Sequence, residues 1–178
     1  MIIVSKIASI PSFCSLGVKP DVFFKAEGEG ENARFIHEEY VQKWLDLIRG
    51  DYKEHSIDEL KMGATKPALP FSDIRLLSIL NHTLWFMPDV ASCFAMRNLM
   101  RKKNNKFYHD YAINVCAGTK AGNGAAALPP VLDSMNCDLH DCTKEMNPLC
   151  TKTITLSCGK LTTGVTVRSW TGILMLRN

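Results

Sequence analysis

Short apolar runs and longer stretches of helical periodicity alternate along the second half of the chain. Residues 153–156 and 172–176 are apolar or β-branched runs, and the polar segment between them, 157–166, is rich in glycine and hydroxyl side chains. Residues 83–87 and 111–117 are two further apolar runs. Short runs of this composition are typical of buried strands. The pattern therefore predicts four strands that belong to one sheet.

The two helices between the predicted strands have clear local signals. Asp89 is predicted to cap a helix over 90–102, with Arg97 and Asn98 facing solvent at its edge. Another helix is predicted within 121–135, where a pair of prolines must occupy the first turn or break the helix. Strands that alternate with helices are typical of a parallel sheet covered by helices on both faces. The predicted fold class is therefore α/β with a parallel sheet.

The first half of the chain has one strong helical pattern. Residues 33–48 carry apolar side chains at three- and four-residue spacing, and Gly50 is a suitable stop. The residues predicted to form the buried face of this helix are Ile36, Tyr40, Val41, Trp44, Leu45 and Ile48. Residues 21–25 are predicted as a strand, whereas the periodicity of 1–10 fits a strand or a short helix.

A polar segment that ends in the Pro-rich residues 66–70 separates the two halves. We therefore divide the chain into 1–70, a helical and linker segment between domains, and 71–178, an α/β domain. The 178 residues suit one ordinary domain with an attachment. A hydrophobic content of 46% and a charged content of 22% are typical of a folded globular chain and exclude a disordered one.

Charge and cysteine usage indicate the cellular compartment of the protein and its possible partners. A net charge of +3 is compatible with nucleic acid but does not require it. The seven cysteines include no Cys-x-x-Cys pair. The first residues lack a secretory cleavage pattern, and no apolar run is long enough to cross a bilayer. These features predict a cytoplasmic protein with reduced thiols and no membrane partner.

Three ordered segments resemble a known family. Residues 159–167, GKLTTGVTV, with the following Trp170 and 174–176, LML, resemble motif V of superfamily-two helicases, and the nearest branch is the helicase part of restriction-type enzymes. Residues 83–88, TLWFMP, resemble the motif IV region of the same second RecA-like domain. Residues 111–118, YAINVCAG, resemble the strand between these motifs.

The resemblance implies a fold, two ligands and a partner domain. The fold is an incomplete RecA-like domain of the P-loop NTPase type, truncated before motif VI, and it belongs to an ATP-dependent DNA helicase or translocase. ATP lies in the cleft between two RecA-like domains of the same enzyme, and DNA crosses both. The residues implied to contact the nucleotide are Gly164, Val165 and Thr166. The residues implied to face the DNA backbone or to support the loop are Ser157, Lys160, Thr162 and Thr163.

The sequence has no Walker A lysine motif and no Walker B acidic pair. The family places both on the first RecA-like domain, so ATP and Mg²⁺ are expected in the full-length enzyme and neither is expected to be held by this fragment alone. The motif VI arginines of the family would follow Asn178. We therefore predict no catalytic residue here, and a phosphate-release assay with DNA should stay at background.

Three other features of the sequence are interpreted without a catalytic, nucleotide-binding or metal-binding role. Residues 118–124, GTKAGNG, lack the order of a Walker loop and are interpreted as a flexible connection. A cluster of possible metal ligands matches no common zinc spacing, so no metal site is predicted: Cys137, His140, Cys142 and Cys150. A basic stretch is interpreted as a solvated helix end, with DNA contact as the alternative: Arg97, Arg101, Lys102, Lys103 and Lys106. For the whole chain, the alternative to the helicase is a stand-alone, non-catalytic α/β binding module.

Overall fold

The computed structural model describes residues 2–4, 19–50, 71, 74–118, 124–136, 151–161 and 167–177. Its strands are β1 (Ile2–Val4), β2 (Ala26–Glu27), β3 (Arg34–Phe35), β4 (His82–Phe86), β5 (Ala112–Cys116), β6 (Thr153–Ser157) and β7 (Gly172–Met175). Its α-helices are α1 (Pro20–Phe23), α2 (Glu38–Ile48), α3 (Ile74–Leu77), α4 (Val90–Met100) and α5 (Pro129–Asn136). Short 3₁₀ turns cover Gly30–Asn32, Lys106–Asp110 and Gly124–Ala127.

Five strands form one sheet in the order β1-β7-β4-β6-β5. Every neighbouring pair in this sheet is parallel. The predicted α/β class with a parallel sheet is therefore confirmed, and the four strands predicted in the second half of the chain are all present. The fifth strand is β1, so residues 2–4 of the segment 1–10 form a strand beside β7, and the rest of that segment lies outside the described residues.

Each face of the sheet buries its own set of apolar side chains. On one face Trp85 and Met87 of the β4 segment lie with Ile154 and Leu156 of β6, under α4. On the other face the buried residues include Leu84, Phe86, Cys116, Val131, Met135, Leu161 and Trp170, and α5 supplies two of them. Burial on both faces explains why the strands are continuous apolar runs rather than alternating ones.

The helices after the strands begin where their local signals predicted. The Asp89 carboxylate accepts a hydrogen bond from the Ser92 backbone N–H at 2.7 Å, and the Ser92 hydroxyl accepts one from the Asp89 N–H at 3.1 Å. This capping box fixes the first turn of α4. Helix α5 begins at Pro129, because a proline at the first helical position loses no hydrogen bond.

Two predictions in the first half are wrong. Residues 21–25 are not a strand, because the fixed φ of Pro20 favours the first turn of α1 and the helix continues to Phe23. The helix predicted over 33–48 begins only at Glu38, since β3 pairs with β2 and occupies the residues before it. Ile36, which precedes the helix, and Tyr40 in its first turn are exposed, by 46% and 59%, whereas the rest of the predicted buried face is buried.

The predicted solvent exposure of Arg97 and Asn98 is also wrong. The Asn98 amide donates hydrogen bonds to the backbone oxygens of Gly30 and Ala33, at 2.8 and 3.0 Å. Arg97 pairs with Glu31 at 2.7 Å. The β2–β3 hairpin covers this side of α4. This contact joins residues that are far apart in sequence, so no local pattern predicts it.

The described part of the N-terminal segment shares the core of the sheet. The rings of Trp44 and Trp85 meet edge to face with centroids 5.9 Å apart, and Phe24 packs on Trp44 in the same way at 5.1 Å. Both tryptophans are buried, and Trp44 belongs to the predicted buried face of its helix. The domain boundary near residue 70 remains a prediction. Among the described helices, none has the length and apolar character needed to cross a membrane.

Candidate functional site

The carboxyl ends of four parallel strands lie side by side. The register places Met175, Phe86, Ser157 and Cys116 in one row across β7, β4, β6 and β5. Backbone hydrogen bonds extend the pairing past the row, from Met87 N to Ser157 O at 2.8 Å and from Leu176 N to Phe86 O at 2.9 Å. The segments that follow these strands therefore begin at the same edge, where parallel α/β sheets bind ligands.

The turn after β6 has an unusual backbone. Gly159 has a φ of 75°, and Leu161 has a φ of 62°, the one positive φ of a non-glycine residue among those described. The left-handed conformation costs a residue with a Cβ atom roughly 1–2 kcal/mol. Leu161 is only 5% exposed and packs with Trp170 and Phe86 in the core under α5. Burial of its side chain offsets this cost and fixes where the turn leaves the sheet.

Ser157 holds the base of this turn. Its side chain is fully buried, and its hydroxyl lies 3.2 Å from the Cys116 carbonyl oxygen and 2.5 Å from the Lys160 carbonyl oxygen. One O–H group shared between these two oxygens joins the end of β5 to the turn after β6. Ser157 thus occupies the supporting position among the residues that the resemblance assigned to the loop.

Two cations and two thiols lie around this turn. The neighbouring Cys93 thiol, acting as a hydrogen-bond donor, is the largest cause that lowers the pKa of the Cys158 thiol, to about 7, and the positive charges of Arg177 and Lys160 lower it further. The interaction with Cys158, followed by burial, raises the pKa of Cys93. The Asp89 carboxylate is the nearby negative group, and it raises the pKa of both thiols.

The charges at this edge of the sheet favour binding of an anion beside Lys160 and Arg177. The first turn of α4 is already occupied, because the Asp89 carboxylate accepts the Ser92 N–H. An incoming phosphate would therefore gain little from the N-terminus of this helix. The Lys160 ammonium and the Arg177 guanidinium are the described groups at this edge with the charge to bind one.

Five of the seven predicted contact residues lie outside the described residues, so the contacts implied for them stay predictions: Thr162, Thr163, Gly164, Val165 and Thr166. The cluster of possible metal ligands at 137–150 also lies outside them. Within the described ranges, no group of three or more His, Cys, Asp or Glu side chains could hold a metal ion.

Sequence reasoning missed three residues of this edge: Arg177, Cys93 and Cys158. Cys158 and Arg177 each follow a predicted strand within two residues, so strand ends alone could have indicated them. Cys93 lies on α4 and is 65 residues from Cys158 in sequence, a separation at which no spacing rule applies.

A second concave surface lies away from the strand ends. A groove of about 770 Å³ runs along the β2–β3 hairpin and the start of α2, and Asn98 and Lys102 of the α4 end also line it. Its acidic side chains Glu31 and Glu38 pair with Arg97 and Lys102. Glu31 joins the hairpin to α4, and Glu38 joins the start of α2 to the residues after α4. Their negative charges make the groove a poor surface for a phosphate backbone.

Comparison with known proteins gives one distant relationship. The chain is 27% identical, over 170 residues, to a protein of Mycoplasma pneumoniae (strain ATCC 29342 / M129 / Subtype 1) described as "Putative type II restriction enzyme and methyltransferase RM.MpnORF110P C-terminus". The match covers 89% of this chain and 21% of that protein, so the chain spans about a fifth of the relative. No family model and no solved structure matches the chain. The similarity relates the chain distantly to a restriction-type protein.

Proposed function

We propose that the chain is part of an ATP-dependent DNA helicase or translocase of the restriction-enzyme type, and that it forms the second RecA-like domain. The observation that carries the proposal is the row of four parallel strand ends with the 158–161 turn at its edge. This is the position that a motif V loop needs to contact a nucleotide and DNA together. The distant similarity to a restriction-type protein supports the same class.

In this proposal the turn after β6 and the residues that follow it form one rim of a nucleotide cleft. The opposite rim belongs to the first RecA-like domain of the same enzyme, which also supplies the groups that bind ATP and Mg²⁺ for hydrolysis. Gly164, Val165 and Thr166 would contact the nucleotide from this side. The described cations Lys160 and Arg177 suit phosphate oxygens, because ammonium and guanidinium groups donate charge-assisted hydrogen bonds to them.

In this proposal the exposed part of the same loop contacts DNA. Lys160 is half-buried and lies in the turn that Ser157 anchors, next to Gly159. Thr162 and Thr163 would add hydroxyl donors to the backbone phosphates. Contacts of this kind position a strand without reading its sequence, as a translocating enzyme requires.

Replacing Lys160 tests this assignment. We expect Lys160→Ala to weaken binding of single-stranded DNA about three- to tenfold at fixed salt and to reduce the slope of log K against log salt by ~0.7. Fluorescence anisotropy with a labelled oligonucleotide between about 50 and 200 mM salt measures both quantities. The wild-type chain and each variant are titrated under the same conditions.

Lys25→Ala is the matched control, because it removes the same charge from an exposed position beside β2. It should leave the slope unchanged. Equal losses in the two variants would mean that only net charge matters and would contradict the contact. Wild-type chain that binds no DNA even at low salt would leave the non-catalytic binding module as the better description.

A further inference from the structure

β5 lies at one edge of the sheet, and among the described strands it pairs with β6 alone. The strands inside the sheet, β4 and β6, are buried along their whole length. In β5 the first four residues are only half-buried, although α4 and α5 both contact the strand from the two faces of the sheet. Solvent therefore reaches β5 from the side opposite β6.

Two residues of β5 direct their main-chain groups to this open side. The Ala112 N–H donates to the Lys152 carbonyl oxygen at 2.8 Å, so the main-chain groups of Ala112 face β6. Alternate residues of a parallel strand bond to the same neighbour, so the N–H and C=O groups of Ile113 and Val115 point away from β6. No other described residue forms a hydrogen bond with these groups.

We propose that β5 pairs with β5 of a second copy of this chain, in antiparallel orientation and with the two-fold axis at Asn114, so that the two sheets become one continuous sheet. Ile113 of one copy then lies opposite Val115 of the other, and the pair exchanges both N–H···O=C bonds. The two-fold axis repeats the pair on its other side. The proposal concerns this edge alone and holds whether or not the chain binds ATP or DNA.

The composition of β5 favours its own copy as the partner. The strand, AINVC, has no charged side chain, so antiparallel pairing places no like charges opposite each other. It also has no proline or lysine, the residues that block pairing at many exposed strand edges. At the other edge of the sheet β1 has three residues, and short edge strands of this kind limit such pairing.

Asn114 supplies a polar contact at the two-fold axis. Its Nδ2 donates to the Ser134 hydroxyl at 2.6 Å, and that hydroxyl donates to the Val131 carbonyl oxygen at 2.8 Å. The Oδ1 atom of Asn114 has no partner among the described residues. Opposite residues in a non-hydrogen-bonded pair have Cα atoms about 4.5 Å apart, so the two Asn114 amides are able to bond to each other. One polar pair at the axis fixes the register, as a buried asparagine does in coiled coils.

The helices on the sheet leave room for this pairing. α5 packs across β5 and β6, and α4 packs across the same two strands on the other face. Paired strands lie about 4.8 Å apart, so equivalent helices of the two copies would lie about 10 Å apart. This is an ordinary distance between packed helices, and the described helices therefore do not block the edge of β5.

Sedimentation velocity of the wild-type chain tests the pairing first. We expect a species of twice the chain mass of 19.9 kDa that dissociates on dilution. Amide hydrogen exchange in 112–116 should slow as this dimer forms, because the outward N–H groups of the strand become bonded. A chain that stays monomeric up to about 100 µM would overturn the proposal.

Two variants test whether β5 is the contact. Ile113→Pro removes an outward N–H and no bond to β6, and edge strands tolerate proline at such positions. It should raise the dissociation constant of the dimer at least ~10-fold. Asn114→Asp places two carboxylates opposite each other at the axis, and at neutral pH it should weaken the dimer by at least ~10-fold as well.

Asn104→Asp is the matched control, because it adds the same charge at an exposed position outside the strand. It should form the dimer as the wild type does. Circular dichroism checks the fold of each variant, and Asn114→Asp decides alone if Ile113→Pro does not fold. A dimer that Asn114→Asp leaves unchanged, or one that Asn104→Asp weakens equally, would overturn the assignment to β5.

Discussion

Trp85→Ala should lower the free energy of unfolding by about 3–5 kcal/mol. The indole is fully buried in β4, and it contacts Trp44 on α2 and Phe71 with ring centroids 5.9 and 6.0 Å away. Its Nε1–H donates to the Thr83 hydroxyl at 3.0 Å, so truncation removes a hydrogen bond as well as a large apolar surface. Urea unfolding followed by circular dichroism measures the change.

The control for this variant is Tyr40→Ala, which removes an aromatic ring that is 59% exposed. It should change the free energy of unfolding by less than ~0.5 kcal/mol. A loss of similar size in both variants would contradict the position of Trp85 at the contact between the sheet and the N-terminal segment. A two-step transition in the wild-type chain would contradict the shared core itself.

Asn105→Ala should cost about 2–4 kcal/mol, because it leaves several polar groups without partners. The Asn105 amide is fully buried between α2 and the end of α4. Its Nδ2 donates to the Gln42 Oε1 at 2.9 Å and to the Leu99 carbonyl oxygen at 2.7 Å, and its Oδ1 accepts from the Gln42 Nε2 at 2.8 Å. Thermal unfolding together with urea titration measures this loss.

The neighbouring Asn104 provides the comparison, because it is exposed. Asn104→Ala should remain within ~0.5 kcal/mol of the wild type. If Asn105→Ala were equally mild, the amide pair with Gln42 would not be what joins α2 to α4. The N-terminal segment would then depend on its aromatic contacts and on the polar contacts of Arg97, Asn98 and Lys102.

Local signals were enough to predict the second half of the fold. β4 to β7 are apolar runs because the sheet is covered on both faces, and Asp89 caps α4 with bonds made within four residues. Pairings between segments that are far apart in sequence could not be predicted from local patterns. β1 joins β7 across the length of the chain, and the two-residue strands β2 and β3 are held by contacts with α4 rather than by any pattern of their own.

The site was predictable in position but not in detail. The glycine- and hydroxyl-bearing segment after β6 indicated the edge of the sheet where the turn lies. The left-handed Leu161 depends on burial beside Trp170, and the inward hydroxyl of Ser157 depends on where β5 ends. Each of these features depends on the assembled sheet, and the strand order of that sheet cannot be inferred from local sequence patterns.

Hydrogen–deuterium exchange with and without single-stranded DNA tests the central claim most directly. That claim is that the segments after the parallel strands form the ligand-binding surface. We predict slower exchange on DNA binding in 87–89, 117–118 and 158–161, and no change in the β2–β3 hairpin at 26–35. Protection confined to that hairpin, or to the amino ends of the strands, would contradict the account.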